Sequence, residues 1–161
     1  MHLLFRPQSL YLLLAIVCAA IMYFLPFATF LDAEGAEAYL LKSNGCWAVN
    51  GTSVVDASPM LPLDIVVIVL TLILTVTLFM FKNRKRQGAV ARSSYLVSIL
   101  LIGGAFMAIN SFKAYLDTGA QQGVVYEASF YLPFAVIAFT FLAGRSIKKD
   151  EELISSLDRL R

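Results

Sequence analysis

The stretch "FKNRKRQGAVAR", Phe81–Arg92, puts five positive charges into twelve residues and sits between two long apolar runs. Such a cluster on a folded module would suggest nucleic acid, but eleven residues between two spans leave no room for a module with a basic face. The surroundings point to a membrane surface instead. The chain has 161 residues, of which 59% are hydrophobic and 15% charged, and its mean hydropathy is +0.75. A soluble domain carries about 45–50% apolar and about 25% charged residues. One small globule cannot bury that surplus, because small domains bury only a modest fraction of their surface. Lipid must cover the rest.

Crossing a hydrocarbon core of about 30 Å takes roughly 20 helical residues. Four segments meet that requirement: residues 8–31, 62–81, 93–112 and 126–144, the last gaining a turn from Val124–Glu127. The expected fold is an all-α membrane protein, a four-transmembrane-helix bundle within residues 1–144. An extracytoplasmic loop covers 32–61 and a tail covers 145–161. A signal peptide cleaved after Cys18-Ala19-Ala20 is the rival reading of the first run. The apolar stretch continues through "IMYFLPFATF" beyond that triplet, which favours a retained span.

Charge sets the threading. Arg6, the second linker and the tail hold 11 of the 13 basic residues. The first and third linkers hold only Lys42 and Lys113, beside Asp32, Glu34, Glu37, Asp56, Asp117 and Glu127, with Asp64 at their border. The positive-inside rule then puts both termini in the cytoplasm. Lys82, Arg84, Lys85, Arg86 and Arg92 become a cytoplasmic anchor, well placed against anionic headgroups.

Small residues mark helix contacts in lipid. Ser94, Ser98, Ala105 and Ala108 share one face of the third helix with Leu101 and Phe112, and Gly104 borders it. That stripe is expected to face the other helices, as are Ala15 and Ala19 on the first. In the outer loop, Asn44-Gly45 and Asn50-Gly51 separate "AYLLK", "CWAV" and "TSVV". Asn-Gly between β-prone runs signals hairpins, so a small three-stranded β-meander or an irregular loop is expected. In the tail, Asp150–Glu152 suit a helix start and Arg159 and Arg161 its end. Leu153, Ile154, Leu157 and Leu160 lie on one side, making a short amphipathic helix for docking on a membrane surface or a partner, or a continuation of the fourth helix.

Chemistry is sparse. His2 is the only histidine, and no Cys/His/Asp/Glu spacing fits a metal. Cys18 in the first run and Cys46 in the loop are expected as free thiols. The spans carry no charge near their centres, where one would mark function. No cofactor, no nucleic acid and no enzymatic activity are expected, and the lipid bilayer is the first partner. Two readings remain: a non-enzymatic scaffold or accessory subunit docking a protein partner through its tail, or an oligomeric channel or small-solute transporter along Thr71, Thr75, Ser98 or Asn110. An outer-interface enzyme using Asp64, Asp117 or Glu127 is a distant third.

Three stretches together, "RPQSLYLLLA", "FKNRKRQ" and "IKKDEELISSLDRLR", resemble a family of small four-span membrane proteins of Bacteroidota known as domain of unknown function 4293. The likeness is most specific at Lys149–Leu153 and Asp158–Arg161, while Pro7 departs from the pattern. The resemblance implies a bacterial inner membrane and carries over no catalytic residue.

Overall fold

The computed structural model describes residues 7–32, 34–49, 62–80, 84–116 and 123–158. Helix α1 spans Pro7–Phe24. The helix stops short of the expected end at residue 31. Leu25 N–H makes the last helical bond, to Ile21 O at 3.1 Å, and Pro26 then has no N–H to continue. The next residues turn into strand β1 (Ala28–Leu31). They are apolar because they fill a core, not because they cross lipid: Phe27, Ala28 and Phe30 are fully buried.

Strands β2 (Glu37–Lys42) and β3 (Gly45–Ala48) follow. Their two-residue loop is Ser43-Asn44, since Lys42 pairs with Gly45, and Gly45 takes φ +136 to leave the turn. Strand β4 (Val124–Tyr126) occupies the segment expected to lengthen the fourth helix. The sheet is antiparallel throughout, in the order β3-β2-β1-β4. The expected meander thus has its first two strands, but its neighbours come from the ends of two "spans"; "TSVV" lies outside the described residues.

Helix α2 (Leu63–Phe79) is 17 residues of apolar chain. Helix α3 (Arg84–Leu116) has 33 residues and starts well before the expected Ser93. Helix α4 (Ala128–Asp158) has 31 and runs through residue 144 without a break, so span and tail are one element. Three helices, α1, α3 and α4, contain segments long and apolar enough to cross a membrane. The chain is therefore a multi-span membrane protein built as a helical bundle with a small open sheet. Each helix packs against two neighbours, α1 on α2 and α4, α3 on α2 and α4.

The buried positions explain that packing. They run Gln8, Leu12, Ala15, Ala19, Met22 on α1 and Leu63, Val67, Leu70, Leu74, Thr77 on α2. On α3 they run Gln87, Ala91, Ser94, Ser98, Leu101, Ala105, Ala108, Phe112, and on α4 Ser129, Val136, Thr140, Ala143, Ile147 with Pro133. Along these positions every step is four or three residues in alternation, a 3.5-residue repeat, with Ser9, Gly104 and Ile109 buried beside the stripe. That repeat keeps one stripe facing inward along helices that wrap left-handedly.

The sheet closes one end of the bundle. Phe30 and Phe112 rings lie 4.9 Å apart, and Tyr39 meets Phe112 edge-on. Leu41 and Cys46 join the same core as Leu63 and Leu101. An open sheet has unpaired edges, which lipid tails cannot satisfy. The sheet therefore lies beyond the hydrocarbon, at the end of the bundle where α1 stops and α4 begins.

Candidate functional site

At the sheet end, the junction is a polar belt tied by chain segments far apart in sequence. Thr29 Oγ1 donates to Glu127 Oε1 at 2.9 Å, Glu127 N–H donates to Phe27 O at 3.0 Å and Phe27 N–H to Leu41 O at 2.7 Å. Ser129 Oγ donates to Leu25 O at 3.0 Å, one of the carbonyls left open where α1 ends. Glu127 thus holds β1 to the start of α4. Elsewhere, Asp64 sits half-buried in the first turn of α2, Asn110 and Lys113 are exposed near the end of α3, and Asp117 lies outside the described residues. Asn110 donates to Phe106 O of its own helix. No group of three or more potential metal ligands occurs among the described residues.

Cys46 faces the core beneath the sheet, and both cysteines are free thiols. Burial pushes the Cys46 thiol up to about 12, with a bond from the Trp47 backbone pulling slightly the other way. A thiol so far from ionisation is a small hydrophobe rather than a nucleophile. Trp47 itself donates through Nε1 to Asn44 Oδ1 at 3.1 Å, across the hairpin loop.

The opposite end, rich in cations, carries a polar layer that sequence reasoning passed over. Gln8, Thr77 and Gln87 are each at most 2% exposed and occupy the last step of their helices' inward stripes. Gln87 Nε2 donates to Thr77 O at 3.0 Å, but neither Gln87 Oε1 nor Gln8 Oε1 accepts a hydrogen bond. A heptad count along each helix would have found them as polar residues on an apolar seam.

The stripe residues Ser94, Ser98, Gly104, Ala105 and Ala108 are all buried. Ser94 Oγ donates to Ala91 O at 2.6 Å, while Ser98 Oγ has no partner. Thr71 and Thr75, half-buried, donate to Val67 O and Thr71 O on their own helix. Thr71, Thr75, Ser98 and Asn110 therefore do not share one surface: Ser98 is inside, Asn110 outside, and the threonines lie between. Among the anchor residues, Arg86 and Arg92 are exposed, as are Arg145, Lys148 and Lys149 on α4. Arg84 and Lys85 lie in the first turn of α3, with side chains outside the described set, and Lys82 lies outside it altogether. Leu153, Ile154 and Leu157 lie on the last turns of α4, again by backbone only, and Leu160 is outside the described residues.

Geometry at 1.5 Å per residue separates the two long helices, α3 and α4, from α2. The 31 residues of α4 extend about 46 Å, some 16 Å more than a hydrocarbon core. The 17 residues of α2 extend only about 26 Å. The 33 residues of α3 extend about 50 Å, so both long helices continue past α2 at the basic end, α4 through the segment from Lys148 to Asp158.

The chain matches the family described as Domain of unknown function (DUF4293) over residues 4–160. It belongs to that family. No curated protein matches the chain. The match covers every described residue of the bundle and the sheet.

Proposed function

We propose that this DUF4293 protein spans the membrane four times, with both termini in the cytoplasm, and serves as a non-enzymatic scaffold or accessory subunit in a bacterial inner membrane. The observation that carries the reading is the unbroken α4. A helix that leaves the bilayer without a hinge holds its last turns at a fixed angle and height, which suits a docking element and not a loose tether. Its sequence puts Leu153, Ile154 and Leu157 on one side of those turns, a short apolar stripe of the kind that seats in a partner's groove.

Two arguments support the threading. The sheet joins the end of α1 to the start of α4, and Phe112 near the end of α3 packs on the same sheet. Helix α2 must then carry the chain back to the start of α3, so it crosses although it is short. Its 26 Å is close to the length of α1 within the bundle, and a span a few ångströms short costs only fractions of a kcal/mol per Å. Basic residues crowd the end away from the sheet, which the positive-inside rule assigns to the cytoplasm.

Photo-crosslinking in native membranes tests the docking. Probes at Leu153 and Leu157 should give one discrete protein adduct, and a probe at Ser156 on another side of the helix should not. Equal adducts from all three positions, or adducts to lipid only, refute a docking face.

A further inference from the structure

The seam between α3 and α4 at the basic end holds a second feature. Tyr95 reaches across from α3: its hydroxyl bonds Thr140 and lies 3.6 Å from where a Cβ on Gly144 would stand. Tyr95 and Gly144 thus face each other across the seam, and on the same side of α3 Gly88 has nothing within 4 Å of where a Cβ would stand, so small or absent side chains leave the outside of the seam low between the two helices. Helical periodicity places Arg92 about 60° outward from Tyr95 on α3, and Lys148 about 40° outward from Gly144 on α4. Because the helices are antiparallel, both rotations open toward the same side. Arg92 lies one turn from Tyr95 toward the basic end, and Lys148 lies one turn from Gly144 in the same direction. The two cations thus stand on opposite banks at one level.

Arg92 lies inside the apolar stretch of α3, which runs from Arg86 to Tyr115. A guanidinium left among lipid tails is costly. Here Nε donates to Gly88 O at 3.2 Å, which draws the side chain back toward the helix start and lifts its head to interfacial depth. That bond uses Nε and leaves both terminal nitrogens for a planar, two-point grip on an oxyanion. On the other bank, Lys148 makes a loose contact with Glu152 at 3.9 Å, both side chains being largely exposed. An exposed pair of that kind contributes little and yields readily to a phosphate.

We infer that the outward α3–α4 groove at the basic end binds the phosphate of an anionic phospholipid, with Arg92 and Lys148 gripping the phosphate over the Gly88–Gly144 floor and the acyl chains running down the apolar flank past Ile99 and Phe141. Both flanking residues are exposed and apolar, as such a path needs. The site rests on the membrane-spanning fold alone and is independent of what the end of α4 docks.

The test uses the full-length protein in detergent, titrated with phosphatidylglycerol and read by native mass spectrometry, with phosphatidylcholine and inorganic phosphate as parallel probes. The double variant Arg92→Gln/Lys148→Gln should lose affinity for phosphatidylglycerol by roughly tenfold or more. Lys42→Gln/Lys113→Gln, which removes the same charge at the sheet end, should leave it unchanged. Gly88→Leu keeps every charge, has space for its side chain and favours the helix, yet fills the floor; it should weaken binding as well. The site is overturned if both double variants weaken binding equally, if Gly88→Leu binds like the parent, if phosphatidylcholine binds as tightly, or if inorganic phosphate displaces the lipid and so supplies the whole recognition.

Discussion

Replacing Gln87 by Met should stabilise the protein, although it removes a hydrogen bond. The Gln87 amide donates once, to Thr77 O at 3.0 Å. That acceptor does not become an orphan in the variant, because Met80 N–H also reaches Thr77 O, at 3.3 Å. The loss is therefore one net hydrogen bond, about 0.5–1.5 kcal/mol in soluble proteins and averaging about 0.6 kcal/mol between membrane helices. The gain is larger. Gln87 is 2% exposed and its Oε1 accepts no bond, a buried polar group costing about 1–3 kcal/mol. Met has nearly the same shape and is flexible enough to repack. The balance is a stabilisation of about 1 kcal/mol, read as a higher midpoint in reversible unfolding with sodium dodecyl sulfate in mixed micelles. A variant destabilised by more than about 1 kcal/mol would refute the reasoning, for it would mean that Oε1 is satisfied in the membrane-embedded protein.

Two further outcomes follow from the sheet end. Phe112→Ala should cost about 3–5 kcal/mol, since the ring is 4% exposed and bridges Phe30, Tyr39 and Tyr115; the unfolding assay reads it directly, and a loss below about 1 kcal/mol would mean the sheet is not seated on α3. The Cys46 thiol is raised from an ordinary 9.0 to about 12 by burial, so unfolded chains release its proton at lower pH than folded ones. Its contribution to stability is whole below pH 9 and is lost as pH rises toward 12, and Cys46→Ala should flatten that part of the pH–stability curve. At pH 8 the native thiol should resist maleimide, and detergent unfolding should restore labelling.

Much of the bundle is legible from length and hydropathy, because lipid imposes one requirement on every spanning helix: enough apolar residues in a row. The same signal hides the sheet. Residues 28–31 are as apolar as the helix before them, and only Pro26 marks the change from a segment facing lipid to one filling a core. Val124–Tyr126 reads as a helical extension because a three-residue strand has no period of its own; its pairing with Ala28–Phe30 lies in tertiary structure. The hairpin is legible because Asn-Gly acts locally, but its two-residue loop is Ser43-Asn44, one residue before the expected Asn44-Gly45, with Gly45 already paired to Lys42. The small residues of α3 stand out as candidates for close packing, and the structure buries them. The glutamines at the basic end went unread because a polar residue near a span's end looks interfacial until the 3.5-residue count shows which way it points.

The pairing of β1 with β4 joins parts of the chain nearly a hundred residues apart, Ala28 to Tyr126. Synthesis delivers α1 to the bilayer long before β4 exists, so β1 must wait with one edge bare while α2 and α3 are made. Closure of the cap is thus a late event that reports arrival of the first three helices, and a chain arrested before Gly123 would display that bare edge at the sheet end of the bundle as a visible mark for quality-control proteases.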